Sequence, residues 1–200
     1  MAVLPDTGTF KKFSFNDPLI TGHTGAITDL CFSPFLDNVL ATASSDCTLK
    51  IWVIPKDGLM QDMEDVDHHA QLLGHQKSVM LAQWNPQANF TMASASMDCT
   101  VKIWDIQNEK AKMNYVLNDV PSCLEWNHNG ELMGCVSKDK MMHIYDPRIF
   151  RKSIVTQTGH DGSRPQKMKW IGSQGQIITV GTSQYGQGRH YSIFDIRQLS

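Results

Sequence analysis

The clearest pattern in this chain is the alternation of apolar and polar side chains over short segments. In residues 26–32 and 48–54, apolar side chains stand at every second or third position with polar side chains between them. Residues 39–43, which lie between these two segments, are small and apolar. Turn-forming residues such as Ser45-Asp46 separate the segments. The pattern predicts three short β-strands joined by tight turns.

The same plan returns three more times along the chain. A second unit repeats the first closely, whereas a third and a fourth repeat it more loosely. One further short strand is expected to lead from each complete unit into the next, so each complete unit is predicted to be a four-stranded antiparallel sheet. Residues 1–4 and 18–21 resemble the last two strands of a preceding unit. The predicted strands of the later units are 78–84, 91–95 and 100–106, then 122–126, 131–136 and 141–145, and finally 167–171, 176–180 and 191–196.

One nine-residue segment occurs twice. Residues 44–52 and 96–104 share seven identical positions and lie 52 residues apart. A Gly-His pair precedes each copy at the same distance, Gly22-His23 for the first and Gly74-His75 for the second. Repetition at this period is the signature of a β-propeller or a solenoid. Such arrays present binding surfaces, so the repeat favours recognition over catalysis.

Gly-His, then Ser-x-Asp-x-Thr, then Ile-Trp resembles the WD-repeat pattern. These residue types can form a buried relay in which the Trp52 indole, a strand hydroxyl, the His23 imidazole and the Asp46 carboxylate satisfy one another. The sequence does not choose between Thr42 and Ser44 as the hydroxyl. Hydrogen bonds to charged groups contribute roughly 1.5–3 kcal/mol each, so loss of the carboxylate should loosen a sheet. The second copy predicts the same structural relay from His75, Asp98 and Trp104, with the hydroxyl of Ser94 or Ser96.

Composition and charge narrow the class of protein. The 200 residues are 41% hydrophobic with a net charge of −2, which lacks the basic footprint of a nucleic-acid-binding domain. No apolar run approaches membrane-spanning length, and the N-terminus has no signal-peptide pattern, so we expect no membrane insertion. The five cysteines are odd in number and form no C-x-x-C pair. They favour a reducing, cytosolic compartment over a zinc ribbon or a disulfide framework.

The histidines and aspartates do not predict an enzyme. His23, His75 and His160 stand at equivalent repeat positions, which is typical of scaffold residues. No phosphate-binding glycine loop, nucleophile elbow or H-E-x-x-H motif is present. His68-His69 follows an acidic run, but adjacent side chains on an extended segment point in opposite directions. We therefore predict an exposed loop between sheets there, and no catalytic, metal or cofactor site anywhere in the chain.

The connecting segments carry a closer resemblance than the repeats alone. Residues 19–26, 54–59, 146–148 and 160–165, taken with the repeat spacing, resemble the coronins from about Val3 to Leu199. The resemblance implies a seven-bladed WD-repeat propeller followed by a linker and a short coiled coil. It also implies a cytoplasmic protein of the actin cytoskeleton that binds filamentous actin and regulates its assembly and turnover. In some members it implies contact with the actin-nucleating complex.

Against that pattern, the chain corresponds to three full blades and two partial ones. The coiled coil that mediates oligomerisation in the family has no counterpart among these 200 residues. An open arc would leave the faces of its terminal blades uncovered, so we expect the chain alone to be marginally stable or self-associating. The predicted boundaries are 1–21 for a partial blade, 22–73, 74–117 and 118–158 for full blades, and 159–200 for a second partial blade.

Charge is unevenly distributed along the chain. Residues 37–67 hold seven carboxylates and two lysines, whereas residues 138–169 hold eight Lys or Arg and three Asp. Actin filaments are acidic, so the basic stretch is a candidate filament-facing surface. A solvated rim that contributes little is the competing interpretation. The competing function is a generic WD-repeat scaffold for a signalling, trafficking or ubiquitin-ligase complex. The candidate actin-binding residues are Arg148, Arg151, Lys152, Arg164, Lys167 and Lys169.

Overall fold

The computed structural model describes residues 18–149, 152–162, 164–183 and 188–198. These residues form four antiparallel sheets, each built from strands that follow one another in the chain. Three sheets have four strands, and the fourth has three within the described residues. The strands are β1 Ile27–Phe32, β2 Val39–Ser44, β3 Leu49–Val53 and β4 Ala70–Leu72, then β5 Val79–Trp84, β6 Thr91–Ser96, β7 Thr100–Asp105 and β8 Lys110–Val116, then β9 Pro121–Trp126, β10 Met133–Ser137, β11 Met141–Tyr145 and β12 Val155–Thr158, and finally β13 Lys167–Ile171, β14 Gln176–Thr182 and β15 Arg189–Asp195.

Separate sheets of consecutive antiparallel strands are the blades of a propeller, so the predicted all-β fold is confirmed. The additional strand expected between units is present as β4, β8 and β12. The last strand, β15, begins two residues before its predicted start because it pairs with β14 from Gln176 to Thr182. Two short 3-10 helices, Asp65–Asp67 and Ile196–Gln198, complete the regular structure of the described residues.

The turn between the second and third strands has the same backbone form in three sheets. Cys47, Cys99 and Lys140 occupy equivalent positions with φ values of 72°, 61° and 71°. In the first of these turns, the Asp46 carboxylate accepts hydrogen bonds from the Thr48 backbone N–H at 3.0 Å and from its hydroxyl at 2.7 Å. A short acidic side chain that binds the backbone two residues on stabilises a tight turn. The Ser-x-Asp-x-Thr string therefore encodes the turn as well as one end of the relay.

The hydrophobic cores lie between neighbouring sheets. Leu49 and Ile51 of the first sheet and Val79 of the second belong to one buried cluster. Two further clusters join the second sheet to the third and the third to the fourth. The fully buried Ala41 and Ala43 on β2 let the sheets approach closely. Each blade therefore gains much of its stability from its neighbours, as in other repeat proteins.

Three tryptophans connect the first strands of adjacent sheets. Each is the last or second-last residue in the first strand of its own sheet and donates its indole N–H to a backbone carbonyl of the preceding sheet. A buried indole N–H needs such a partner, so these bonds fix the spacing of the blades as well as satisfying the ring. The pairs are Trp84 with Cys31 at 3.1 Å, Trp126 with Gln83 at 3.3 Å and Trp170 with Glu125 at 3.2 Å.

Large apolar side chains are exposed on the first and fourth sheets, the two ends of the row. Leu30 and Phe32 of β1 are 58% and 53% exposed, and Tyr191 and Ile193 of β15 are 71% and 58% exposed. Among the described residues, no further sheet covers them. Marginal stability or self-association of the chain stays a prediction, and these exposures are the feature on which it depends.

Two assignments made from the sequence differ from the structure. Residues 18–21, expected as a strand of a preceding unit, form no strand, and Ile20 makes a single parallel bridge with Met63. Residues 1–4 lie outside the described residues. His68-His69 and the acidic run before it, expected as an exposed loop between sheets, instead lie in the segment that connects β3 to β4 within the first sheet. The bridge explains both differences, because the long segment folds back along its own sheet.

The acidic segment is also more than a solvated loop. Asp65 forms an ion pair with Lys50, whose residue is only 3% exposed, and the Lys50 ammonium donates a second bond to the Gly22 carbonyl at 2.7 Å. A buried ammonium needs such partners. His68 packs edge-on against Trp52, with ring centroids 6.3 Å apart. No helix in the described part of the chain is long and apolar enough to cross a membrane.

Candidate interaction surface at the Gly-His end of the sheets

The first sheet brings its predicted relay residues together. The His23 Nδ1–H donates to Asp46 Oδ2 at 2.9 Å, and His23 Nε2 lies 2.8 Å from Thr42 Oγ1. The Trp52 indole donates to the same Thr42 oxygen at 2.9 Å. Thr42 is therefore the relay hydroxyl, while the Ser44 hydroxyl accepts a bond from the Asp46 backbone N–H at 3.1 Å. The Gly-His segment and the β2–β3 turn consequently lie at one end of the sheet, called the Gly-His end below.

The second sheet repeats this geometry. His75 Nδ1 donates to Asp98 Oδ2 at 3.0 Å, and the Trp104 indole donates to Ser94 Oγ at 2.7 Å. His75 Nε2 lies 2.7 Å from the same Ser94 oxygen, so Ser94 is the hydroxyl of this sheet. The Ser96 hydroxyl instead donates to the Lys77 carbonyl at 2.9 Å.

The charge state of the second relay follows from its surroundings. Burial alone would raise the pKa of Asp98, but hydrogen bonds from Thr100, Gln76 and His75 outweigh burial and lower the pKa to about 2. Burial is also the main cause that lowers the pKa of His75, although Asp98 opposes it. Asp98 is thus ionised and His75 neutral at neutral pH, with Ser94 donating its hydroxyl proton to His75 Nε2. Neither ring nitrogen is open to a substrate.

The third sheet keeps only part of the relay. Cys135 stands where Thr42 stands in the first sheet, and burial raises the pKa of its thiol well above the usual range. Tyr145 replaces the tryptophan and packs against Tyr115 of the second sheet, with ring centroids 4.2 Å apart. Asp139 keeps its turn by accepting bonds from the Ser137 hydroxyl and the Met141 N–H. This blade is therefore held by aromatic packing instead of an indole-to-carboxylate chain.

The fourth sheet keeps the histidine and its hydroxyl only. His160 Nε2 lies 3.0 Å from Thr179 Oγ1, with the same sequence separation of 19 residues as in the first two relays. Ser183 stands four residues after that hydroxyl, where the first two sheets have their aspartates, and Phe194 stands at the tryptophan position. The relay is therefore truncated in this blade.

The five predicted filament-facing residues that the structure describes lie in different surroundings. The Arg148 guanidinium binds the Asp146 carboxylate through two bonds of 2.9 and 2.8 Å and also reaches Glu131 at 3.4 Å. Lys169 pairs with Glu125 at 2.5 Å, and Lys167 donates to the Ser122 carbonyl at 2.7 Å. Arg151 lies outside the described residues.

Lys152 and Arg164 make no ion pair within the described part of the chain, and they line different cavities. Arg164 lies at the Gly-His end, beside Lys138 and Lys140 of the third-sheet turn. Lys152 lines a separate cavity together with His143, whose Nε2 is buried without a hydrogen-bond partner. The two described candidates without an ion pair therefore lie beside different cavities of the third and fourth sheets.

Sequence reasoning missed two features that organise the site. The inter-sheet tryptophans could have been found, because Trp84, Trp126 and Trp170 stand at the last or second-last position of the first strand in three successive units. The buried pair of Lys50 with Asp65 left no such signal. Among the described residues, no group of three or more His, Cys, Asp or Glu could hold a metal ion.

Comparison with known proteins finds sequences and a solved structure that are similar to this chain. The model for the WD domain, G-beta repeat matches residues 16–53 and 67–105. The coronin-like protein crn1 of Schizosaccharomyces pombe is 33% identical over 183 residues, which cover 91% of this chain and 30% of that protein. A crystal structure of the WD40 domain of Toxoplasma gondii coronin matches with a TM-score of 0.84 and 32% identity. The chain carries WD repeats and is similar to the coronins over about 90% of its length.

The likeness to coronins extends beyond the two best-formed repeats. Human coronin-2A is 29% identical over 189 residues, covering 92% of this chain and 35% of that protein. The Toxoplasma gondii match covers 89% of this chain and 46% of the solved chain. The chain thus spans about a third of the length of the coronins it matches. Activities of the whole coronins come to this chain only as proposals.

Proposed function

We propose that this chain is the WD-repeat part of a coronin-type regulator that binds filamentous actin by recognition on a propeller surface, without catalytic chemistry. The observation that carries the proposal is the coronin likeness over about 90% of the chain, including the segments between the repeats. The proposed location is the actin cytoskeleton of the cytoplasm. Contact with the actin-nucleating complex, and oligomerisation through a coiled coil elsewhere in the full-length protein, belong to the same proposal.

Each proposed full blade holds the strands of one sheet. The range 22–73 contains β1 to β4, 74–117 contains β5 to β8, and 118–158 contains β9 to β12. The proposed partial blade 159–200 contains β13 to β15, and 1–21 precedes the first sheet. We propose these units as the scaffold, with His23, Asp46, Trp52, His75, Asp98 and Trp104 in structural roles.

The unpaired cations are the best candidates for filament contact. Lys152 and Arg164 form no ion pair with any residue that the structure describes, whereas Arg148 and Lys169 already neutralise nearby carboxylates. A charge that is already paired gains less from an acidic partner than a free one does. We therefore rank Lys152 and Arg164 above Arg148 and Lys169 within the proposed actin surface, which also includes Lys167.

Filament cosedimentation tests this proposal. The wild-type chain should pellet with filamentous actin, and the Lys152→Glu/Arg164→Glu variant should bind at least about fivefold more weakly at low salt, because reversed charges repel an acidic filament. The matched control is Lys56→Glu/Lys110→Glu, which makes the same change of charge on the first and second sheets. An equal loss of filament binding in both variants would show that net charge, and not these two positions, causes the effect. Absence of binding by the wild-type chain, together with absence of binding by its full-length product, would favour the generic WD-repeat scaffold.

A further inference from the structure

The fourth-sheet histidine lacks the anionic partner that its equivalents possess. In the first two sheets, the histidine Nδ1 binds an aspartate at 2.9 and 3.0 Å. In the fourth sheet, His160 keeps the hydroxyl contact of Nε2 with Thr179, but its Nδ1 has no partner within the described residues. Ser183 holds the aspartate position and carries no charge. The fourth sheet thus retains the imidazole but, within the described residues, has no carboxylate that accepts a hydrogen bond from its Nδ1–H.

A cationic cavity adjoins this histidine. It has a volume of about 330 Å³ and lies between the third-sheet turn and residues His160, Arg164, Pro165 and Gln166. Lys138 and Lys140 line it from the turn, and Arg164 lines it from the fourth-sheet side. The first two sheets have Ser, Met or Cys at the two lysine positions. Positive charge at this turn is therefore a property of the third sheet alone among the three turns of this form.

The walls of the cavity are tied together by buried hydrogen bonds. Gln166, which is 3% exposed, accepts a bond from the His160 N–H at 3.0 Å and donates to the Lys140 carbonyl at 2.8 Å. The Gly159 N–H donates to the same carbonyl at 2.8 Å. The Lys140 ammonium donates to the Asp161 carbonyl at 2.6 Å. These bonds hold the third-sheet turn and the fourth-sheet segment in fixed relation, so the cavity is preorganised.

The charges around the cavity leave it cationic. Lys138 and Arg164 form no ion pair within the described residues. Two carboxylates lie nearby, those of Asp139 and Asp161. Oδ1 of Asp139 already accepts bonds from Ser137 and Met141 within its own turn. Three basic side chains in a recess, with an imidazole at its wall, suit a ligand that has several acceptor oxygens and more than one negative charge.

We propose that this cavity binds the phosphoryl group of a phosphorylated serine or threonine in a partner polypeptide. Arg164 and Lys138 donate to the phosphate oxygens, and the His160 Nδ1–H donates in the direction that its equivalents use toward aspartate. A phosphomonoester carries about −1.5 to −2 charges at pH 7, so it matches the charge of three cations better than a single carboxylate does. A peptide fits better than a bilayer, because no large exposed apolar side chain lines the cavity to insert into lipid.

Fluorescence anisotropy with a labelled peptide library tests the proposal. The probe is a heptapeptide pool with a central phosphoserine and mixed flanking residues, compared with the same pools carrying Ser or Glu at the centre. The wild-type chain should bind the phosphoserine pool at least about tenfold more tightly than either control pool, since only phosphate offers three acceptor oxygens. The Lys138→Ala/Arg164→Ala variant should lose that preference, and Lys56→Ala/Lys110→Ala, with the same loss of charge, should retain it.

A second variant tests the histidine directly. Ser183→Asp places a carboxylate where the first two sheets have one, so it should occupy His160 and weaken phosphoserine binding at least about fivefold while leaving the thermal unfolding temperature unreduced. Equal binding of the three peptide pools would overturn the proposal. So would a cavity-dependent affinity seen only for phosphatidylcholine vesicles containing a phosphoinositide. Unchanged binding in Ser183→Asp would overturn the assignment of His160 to the site.

Discussion

Replacement of Asp98 by alanine removes the carboxylate on which the second relay ends. Asp98 accepts bonds from the Thr100 N–H and hydroxyl at 2.9 and 2.6 Å, from the Gln76 N–H at 2.9 Å and from His75 at 3.0 Å. The His75 side chain is fully buried, so its Nδ1–H would lose its partner in the interior at a cost of about 1–3 kcal/mol. Gln76 and Thr100 lie nearer solvent, and their lost bonds add about 1 kcal/mol.

The expected destabilisation of Asp98→Ala is therefore about 2–4 kcal/mol. For a chain of this size, each kcal/mol lowers the unfolding temperature by about 2–4 °C, so thermal unfolding followed by circular dichroism should shift by about 5–15 °C. Asp139→Ala is the matched control, because Asp139 caps an equivalent turn but binds no histidine. The control should shift by less than half as much. Equal shifts in the two variants would refute the view that the relay, and not the turn, carries the energy.

Three further outcomes follow from the same structure. The depressed pKa of Asp98, about 2 against 3.8, contributes stability that is present above pH 4 and is lost as the pH falls through 2; the acid unfolding profile of Asp98→Asn should be flatter in that window. Trp126→Phe removes the indole donor to Gln83, so urea unfolding should show a loss of about 1 kcal/mol beyond that of Phe90→Leu, an exposed-site control. Burial raises the pKa of the Cys135 thiol, so Ellman's reagent should label the partly exposed Cys47 far faster, and equal rates would contradict the buried placement.

The sequence was sufficient to predict the sheets and most of the relay because both repeat. Alternation marks the strands, and His, Asp and Trp recur at fixed spacing, so one well-formed copy supports the other. The relay hydroxyl could not be chosen, because Thr42 and Ser44 are two residues apart on one strand and face the same side. Strand register decides between them. Trp52 pairs with Leu40, which places Thr42 diagonally opposite the indole.

Local sequence patterns do not predict contacts between residues that are far apart in the chain. Asp65 belongs to an acidic segment whose composition predicts a solvated loop. The segment instead folds back over its own sheet, where the Asp65 carboxylate pairs with Lys50. The basic stretch 138–169 illustrates the opposite limit. The stretch is basic, as its sequence indicates. Arg148 is paired with Asp146 and Lys169 with Glu125, however, so less of its positive charge is available to a partner. Charge counts along a sequence do not reveal which charges are already neutralised.

The relay is complete in the first two sheets and incomplete in the third and fourth, and this difference bears on the proposed binding site. The first two sheets use every relay group internally, so their Gly-His ends have no ring nitrogen to offer. The third sheet loses the histidine and the hydroxyl but gains Lys138 and Lys140 in its turn, and the fourth loses the aspartate but keeps His160. Lys138 and Lys140 of the third sheet and His160 of the fourth sheet line one cavity. A repeat position that no longer serves its own blade is thereby free to bind a partner, and the least regular blades are where recognition should be sought.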